Sequence, residues 1–169
     1  AHQLEDIMSD TVGVEIAPGR LTTVAGTVRR ILDDPAIVGG IAEGAQLLRD
    51  VLGPHTGNRL PHPLPDSVQG ALVTVRQRLD AALAALRRVD TDVEDAKQRR
   101  LRAQQMATRT IEAIDTAIGA HEGYVAFVSG APQTPRLEIA PLDVGPVLAE
   151  GVWANRTAIL TSATIPSSL

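Results

Sequence analysis

The 169-residue chain contains no cysteine. That removes disulfides, thiolate zinc sites and cysteine-held iron–sulfur clusters from this stretch. Aromatic residues are almost absent too, with one Trp, one Tyr and one Phe. Single-strand nucleic-acid platforms stack bases on aromatic rings, so stacking is not expected as a main binding mode. Trp153, Tyr124 and Phe127 are read as core residues. No run of about 18 apolar residues occurs, so no membrane-spanning helix is expected. The acidic start lacks the basic-then-apolar pattern of a signal peptide, and a cytoplasmic protein is the expectation. Lysine is scarce as well: Lys97 is the one lysine among 16 basic residues, a bias that points to a GC-rich genome. There is no glycine-rich phosphate loop, no nucleophile elbow and no metal-ligand cluster, so neither a complete active site nor a metal site is expected within the chain.

What is present is a chain long enough for one domain with a core, or one domain plus pieces of another. The net charge of −4 argues against a free-standing nucleic-acid binder. Its distribution is uneven. Between Ser67 and Arg109 there are nine basic and five acidic residues, a balance of +4, while the remainder carries seven basic and fifteen acidic, a balance of −8.

The hydrophobic pattern is mostly helical. Ala1 to about Met8 reads as helix, and its abrupt start on Ala-His is expected of a cut inside an element. Thr11 to Pro18 alternates through Val12, Val14 and Ile16, as a short extended piece does. Arg20–Leu32 has Leu21, Val24, Val28 and Leu32 at helical spacing and ends at Asp33-Asp34-Pro35. Gly40–Leu52 is a second helix, closed by Gly53-Pro54. Gly53–Asp66, with four prolines, reads as loop, and its two histidines, His55 and His62, read as solvent-exposed. Asp66 or Ser67 then caps the longest helical stretch. Leu72, Val75, Leu79, Ala82, Leu86, Val89, Val93 and Ala96 form a seam of the kind two packed helices need, and Ala103, Ala107, Ile114 and Ala117 continue it. Because the seam keeps its phase through Asp90-Thr91-Asp92, one long helix is the expectation. Thr91 and Glu94 resemble a capping box, which leaves a helical hairpin as the alternative.

After Gly119 the character changes. Tyr124–Val128 and Arg136–Ile139 read as two strands of a hairpin with a seven-residue connection, Ser129–Pro135. Pro141-Leu142-Asp143-Val144 follows, then a short helix to Trp153, a turn at Asn155-Arg156, and a buried-type strand Thr157–Leu160. The strand runs into the hydroxyl cluster Thr161-Ser162-Ala163-Thr164.

Two landmarks together resemble the DinG/XPD-like branch of superfamily 2 helicases. Ala1-His2 is similar to the last half of a DEAH box, and Thr161-Ser162-Ala163-Thr164 is similar to the Ser-Ala-Thr motif III. The order between them is similar too: an aromatic strand, Ala140-Pro141-Leu142-Asp143-Val144, a helix, and a strand ending in the hydroxyl cluster, with Thr161 seventeen positions after Val144. The match spans about residues 124 to 165; Ile165 stands where the family often has Leu, and residues 18 to 120 match only as a helical insertion of suitable size.

The resemblance implies a mainly α fold. A helical arch insertion, built on a long helix or a helical hairpin, would accompany a small β portion from an α/β motor domain. Residues 1–17 would follow the DEAH box, 18–120 would be the arch, and 121–169 would return to the motor. It implies 5′-to-3′ DNA unwinding by a parent protein that uses ATP and Mg2+, held mostly by residues outside this chain, with single-stranded or forked DNA as partner. His2 would be the DEAH histidine, and Thr161, Ser162 and Thr164 the motif III hydroxyls that couple hydrolysis to unwinding. Many relatives carry an iron–sulfur cluster upstream of the DEAH box, beyond this stretch. The arch forms a passage for single-stranded DNA, which would employ Lys97, Arg99, Arg100, Arg102 and Arg109, with Arg76/Arg78 and Arg87/Arg88 as lesser pairs. The competing reading is a helical protein–protein interaction module without catalytic activity.

Overall fold

A computed structural model describes residues 13–90, 93–120 and 123–142. The first helix begins where proline permits it. Ala17 is extended, and Pro18 opens α1 (Pro18–Arg29) with the fixed φ that suits a first turn. Leu21, Val24, Ala25 and Val28 are buried along one stripe. On the other side Thr22, Thr23 and Thr27 return their hydroxyls to the carbonyls four residues back.

α1 ends at Arg29, three residues before the Leu32 expected from the sequence, and Arg30 caps it by donating its backbone amide to the Thr27 carbonyl. Asp34 is the N-cap of α2 (Pro35–Leu52): its carboxylate accepts from the amides of Ala36 at 3.0 Å and Ile37 at 3.1 Å, with Pro35 in the first turn. The helix therefore starts five residues before Gly40, where the sequence pattern places it. The Asp-Pro pair thus starts α2, with residues 30–33 between it and the end of α1. α2 packs on α3 (Asp66–Arg88) at Gly44, where a Cβ would lie 3.2 Å from the Val75 side chain. Arg78 ties the pair by donating to the Gly40 carbonyl at 2.6 Å and to Glu43 at 3.0 Å. Asp66 is the first helical residue of α3 rather than its cap, placed to favour the helix N-terminus by charge.

The expectation of one long helix is overturned. α3 ends at Arg88, Val89 is extended, and α4 runs Glu94–Gly119 back along α3. The reason is burial. A continuous helix would leave the apolar face of its second half without a partner. Folding back packs α4 against α3 and buries Ala103, Ala107, Ile111, Ile114 and Ala117 of its apolar stripe. Val93, which keeps the phase of the seam, is 63% exposed at the reversal. Arg76 clamps the hairpin near its base, pairing with Asp115 at 2.5 Å and Asp80 at 2.6 Å.

Among the described residues four strands form one antiparallel sheet in the order β1–β4–β3–β2. They are β1 (Val14–Ile16), β2 (Arg59–Leu60), β3 (Tyr124–Ala131) and β4 (Thr134–Pro141). β2 lies inside the stretch read as loop; two residues between prolines are too short to show alternation. The β3–β4 connection is also shorter than expected. Pairing continues to Ala131↔Thr134, leaving Pro132-Gln133 as the turn. Gly130 makes this possible with φ 87, since a Cβ there would sit 2.4 Å from the Thr134 carbonyl oxygen.

One buried cluster joins the sheet to the helices. Ile16, Leu60, Val128, Leu137 and Ile139 point inward from the four strands and pack with the stripes of α1 to α4. Residues 13–17 and 123–142 thus share a core with the segment read as the arch.

Candidate nucleic-acid interface

The five basic residues singled out on α4 do not behave alike. Lys97, Arg99, Arg102 and Arg109 are exposed, and no side chain of the four forms an ion pair or hydrogen bond with another described residue. Arg100 turns inward. Its Nη1 donates to the Val89 carbonyl at the end of α3, and its Nε is buried without a partner. A carbonyl at a helix C-terminus has no intrahelical donor, so Arg100 holds the reversal shut. It is a staple of the hairpin rather than a free cation for phosphate.

Helical phase separates the others. Successive residues turn by about 100°, so Arg102 and Arg109, seven positions apart, lie on one strip about 10 Å in length. Arg99 flanks that strip toward the core side, and Lys97 sits on the opposite flank of the helix. Arg87 and Arg88, at the last turn of α3, are exposed and extend the positive surface across the reversal. Cations there also favour the helix C-terminus. Asp90, Glu94 and Asp95 share the tip; Glu94 accepts from the Gln98 amide at 3.1 Å, and the two acids of the first turn suit the α4 N-terminus.

Between α3 and α4 runs a shallow groove of about 340 Å³, with Arg87 toward the tip and Arg109 toward the base. Leu83 and Leu101 are its apolar lining, Gln104, Gln105 and Thr108 supply donors and acceptors, and Glu112 places a carboxylate beside Arg109. Arg109 also lines a second cleft of about 460 Å³ with Arg20, Glu15, Glu112 and Glu138. The mixed charge there suits internal pairing more than an anion. Among the described residues no group of three or more His, Asp or Glu is arranged for a metal ion.

The remaining arginine pairs divide in the same way. Arg76 and Arg78 are committed to carboxylates and a carbonyl inside the fold. The Asp115 hydrogen bond, then the charges of Asp115 and Asp80, hold the Arg76 guanidinium above its usual arginine pKa. His62 is exposed as expected, while His55 is half-buried in a turn of 3₁₀ helix at Gly53–His55.

Phe127 departs from expectation. Tyr124 packs against the core, but Phe127 points away from it and is 37% exposed. The all-apolar run Tyr124–Val128 conceals its own parity. Its strand partner does not: Arg136-Leu137-Glu138-Ile139 alternates, and Phe127 lies opposite Glu138. Trp153 and the proposed helicase-motif residues His2, Thr161, Ser162 and Thr164 lie outside the described residues. Among the described residues no helix is long and apolar enough to cross a membrane.

No protein-family model matches this chain, and no curated protein is significantly similar to it.

Proposed function

We propose that this chain is the arch-like insertion, with flanking motor segments, of a DinG/XPD-like ATP-dependent DNA helicase. Its role in that reading is to guide single-stranded DNA past the α3–α4 hairpin. One structural observation favours an insertion above others. The body enters through β1 and leaves through β4, and these are antiparallel neighbours, with Val14 paired to Ile139. A domain inserted into another chain needs its two ends side by side. Taken with the sequence order, the insertion would span about residues 13 to 142, and β1 and β3–β4 would belong to it rather than to the motor. His2 and the hydroxyls of Thr161, Ser162 and Thr164 would then link the nucleotide site to movement, with ATP and Mg2+ bound by the parent protein.

The exposed cations Arg99 and Arg102, with Arg87 and Arg88 across the reversal, are the surface that DNA would meet, and Lys97 adds charge on the opposite flank of α4. Binding of a labelled oligothymidine to the chain, followed by fluorescence anisotropy across a salt series, tests this. Replacing Lys97, Arg99 and Arg102 together by Ala should weaken binding and lower the slope of log K against log salt by about one for each phosphate left without its cation. An unchanged slope would remove the hairpin from the DNA path.

A second reading, a protein-docking arm, draws on Val93 and Leu101, which are 63% and 45% exposed among the tip cations. Under that reading Leu101→Asp abolishes association with a partner protein and leaves oligothymidine binding intact.

A further inference from the structure

The sheet has one face on the helices and one in solvent. On the outer face the central row runs Arg59, Phe127, Glu138, Glu15 across the four strands, each directly in register with the next. Directly opposed residues of an antiparallel pair project to the same side with Cβ atoms about 4.5–5.5 Å apart. Arg59 and Phe127 are therefore immediate neighbours, both exposed, at the β2–β3 end of the row.

Charge divides this face in two. At the β1–β4 end the acids are engaged: Glu15 pairs with Arg136 at 3.6 Å, and the Ser129 hydroxyl donates to the Glu138 carboxylate. At the β2–β3 end the two strands carry no acid of their own, and the nearest carboxylate in the row is Glu138, directly opposite Phe127 on β4. Residues 51–65 and 123–137 contain no Asp or Glu, while Arg59, His55 and His62 are all in the first of these stretches. The solvent-facing ring in the sheet is thus flanked by a cation without a carboxylate partner among the described residues.

We propose that Phe127 and Arg59 form a stacking platform for one base of a single-stranded nucleic acid. The ring face would take the base, and the guanidinium would take the adjoining phosphate or lie over the base edge as a cation–π partner. An aromatic ring on an open antiparallel sheet beside a cation suits a planar, anionic polymer better than a helix surface does. The Glu138 and Glu15 end of the row limits the footprint and directs the strand along the β2–β3 edge. This rests on the single-strand reading above and adds a base-contacting site away from the phosphate-tracking tip.

The test compares oligothymidine with an abasic strand of equal length, using the full chain and anisotropy at low salt. Stacking makes the wild type prefer oligothymidine by about tenfold. Phe127→Ala should erase that preference while leaving abasic binding unchanged, and Phe127→Trp should restore it. Arg59→Ala should weaken both strands and lower the salt slope by about one. Circular dichroism and thermal melting confirm that each variant is folded, which the outward position of both side chains favours. If Phe127→Ala keeps the preference while the Lys97, Arg99 and Arg102 variant loses binding, the platform is wrong and the hairpin reading stands. If the wild type binds neither strand, both fall together.

Discussion

The two ends of the α3–α4 hairpin contain the same kinds of residue and use them differently. Near the base, Arg76 reaches Asp115 on the opposite helix and Asp80 one turn on, while Arg78 reaches Glu43 and the Gly40 carbonyl on α2. Near the tip, Arg99, Arg102 and Lys97 face solvent with no such partner among the described residues. The difference lies in what surrounds each residue. At the base two helices, and α2 beyond them, place carboxylates and carbonyls within reach. At the tip the hairpin stands with fewer neighbours, and Leu101 and Val93 are exposed for the same reason. Arginine at the base stabilises a fold, whereas at the tip it is available to a ligand.

The sharpest way to separate the two regions is to damage each and compare stability. Leu79 is fully buried in the α3 stripe at the base. Leu79→Ala should cost about 2–5 kcal/mol, the range for deleting a packed leucine, and lower the melting temperature accordingly. A thermal or urea melt measures it. A cost under about 1 kcal/mol would mean that the hairpin base is not packed as a core.

Arg100 lies between the two regimes, and its replacement is expected to have the next largest effect. Arg100→Ala leaves the Val89 carbonyl without its donor at the chain reversal. The expected cost is about 1–3 kcal/mol, that of a buried polar group losing its partner. Arg100→Lys should recover only part of it, because an ammonium lacks the planar fork. Single-strand binding should fall no further than the loss of folded protein accounts for. A drop in binding with stability unchanged would return Arg100 to the DNA-contacting set.

Much of the fold is legible in the sequence, and its failures have physical causes. The stripes of α1, α3 and α4 are visible because each buries one face only. The hairpin is legible only as an alternative, through Thr91 and Glu94, because a seam repeating every three to four residues is satisfied equally by a helix paired with another chain and by a helix folded on itself. The deciding residues are Val89 and Val93, whose extended backbone at the reversal breaks a run of good helix formers. β2 is hidden by its length and its prolines, and with it the neighbour that makes Phe127 conspicuous. For the candidate interface, the sequence locates the cations but not their partners. Arg78's bond to Gly40 spans 38 positions and Arg76's to Asp115 spans 39. Separations of that size carry no local signature. Arg100 sits one position from Arg99 and is turned by about 100° into the reversal, so adjacency in sequence places opposite roles side by side.

The smallest stability effect carries the most functional weight. Removing Lys97, Arg99 and Arg102 together should change folding stability by no more than about 0.5 kcal/mol per residue, since exposed side chains without partners contribute little. Removing the Arg76 clamp should lower the melting temperature measurably at low salt and less at high salt, because an exposed ion pair is screened. Melting both variants at two ionic strengths therefore tests the division directly. A tip variant that melts like the wild type but binds oligothymidine more weakly shows cations held for an external anion. If it instead melts lower, with a salt-dependent loss like that of the Arg76 variant, the tip arginines are pairing within the chain. The two ends of the hairpin would then differ only in degree.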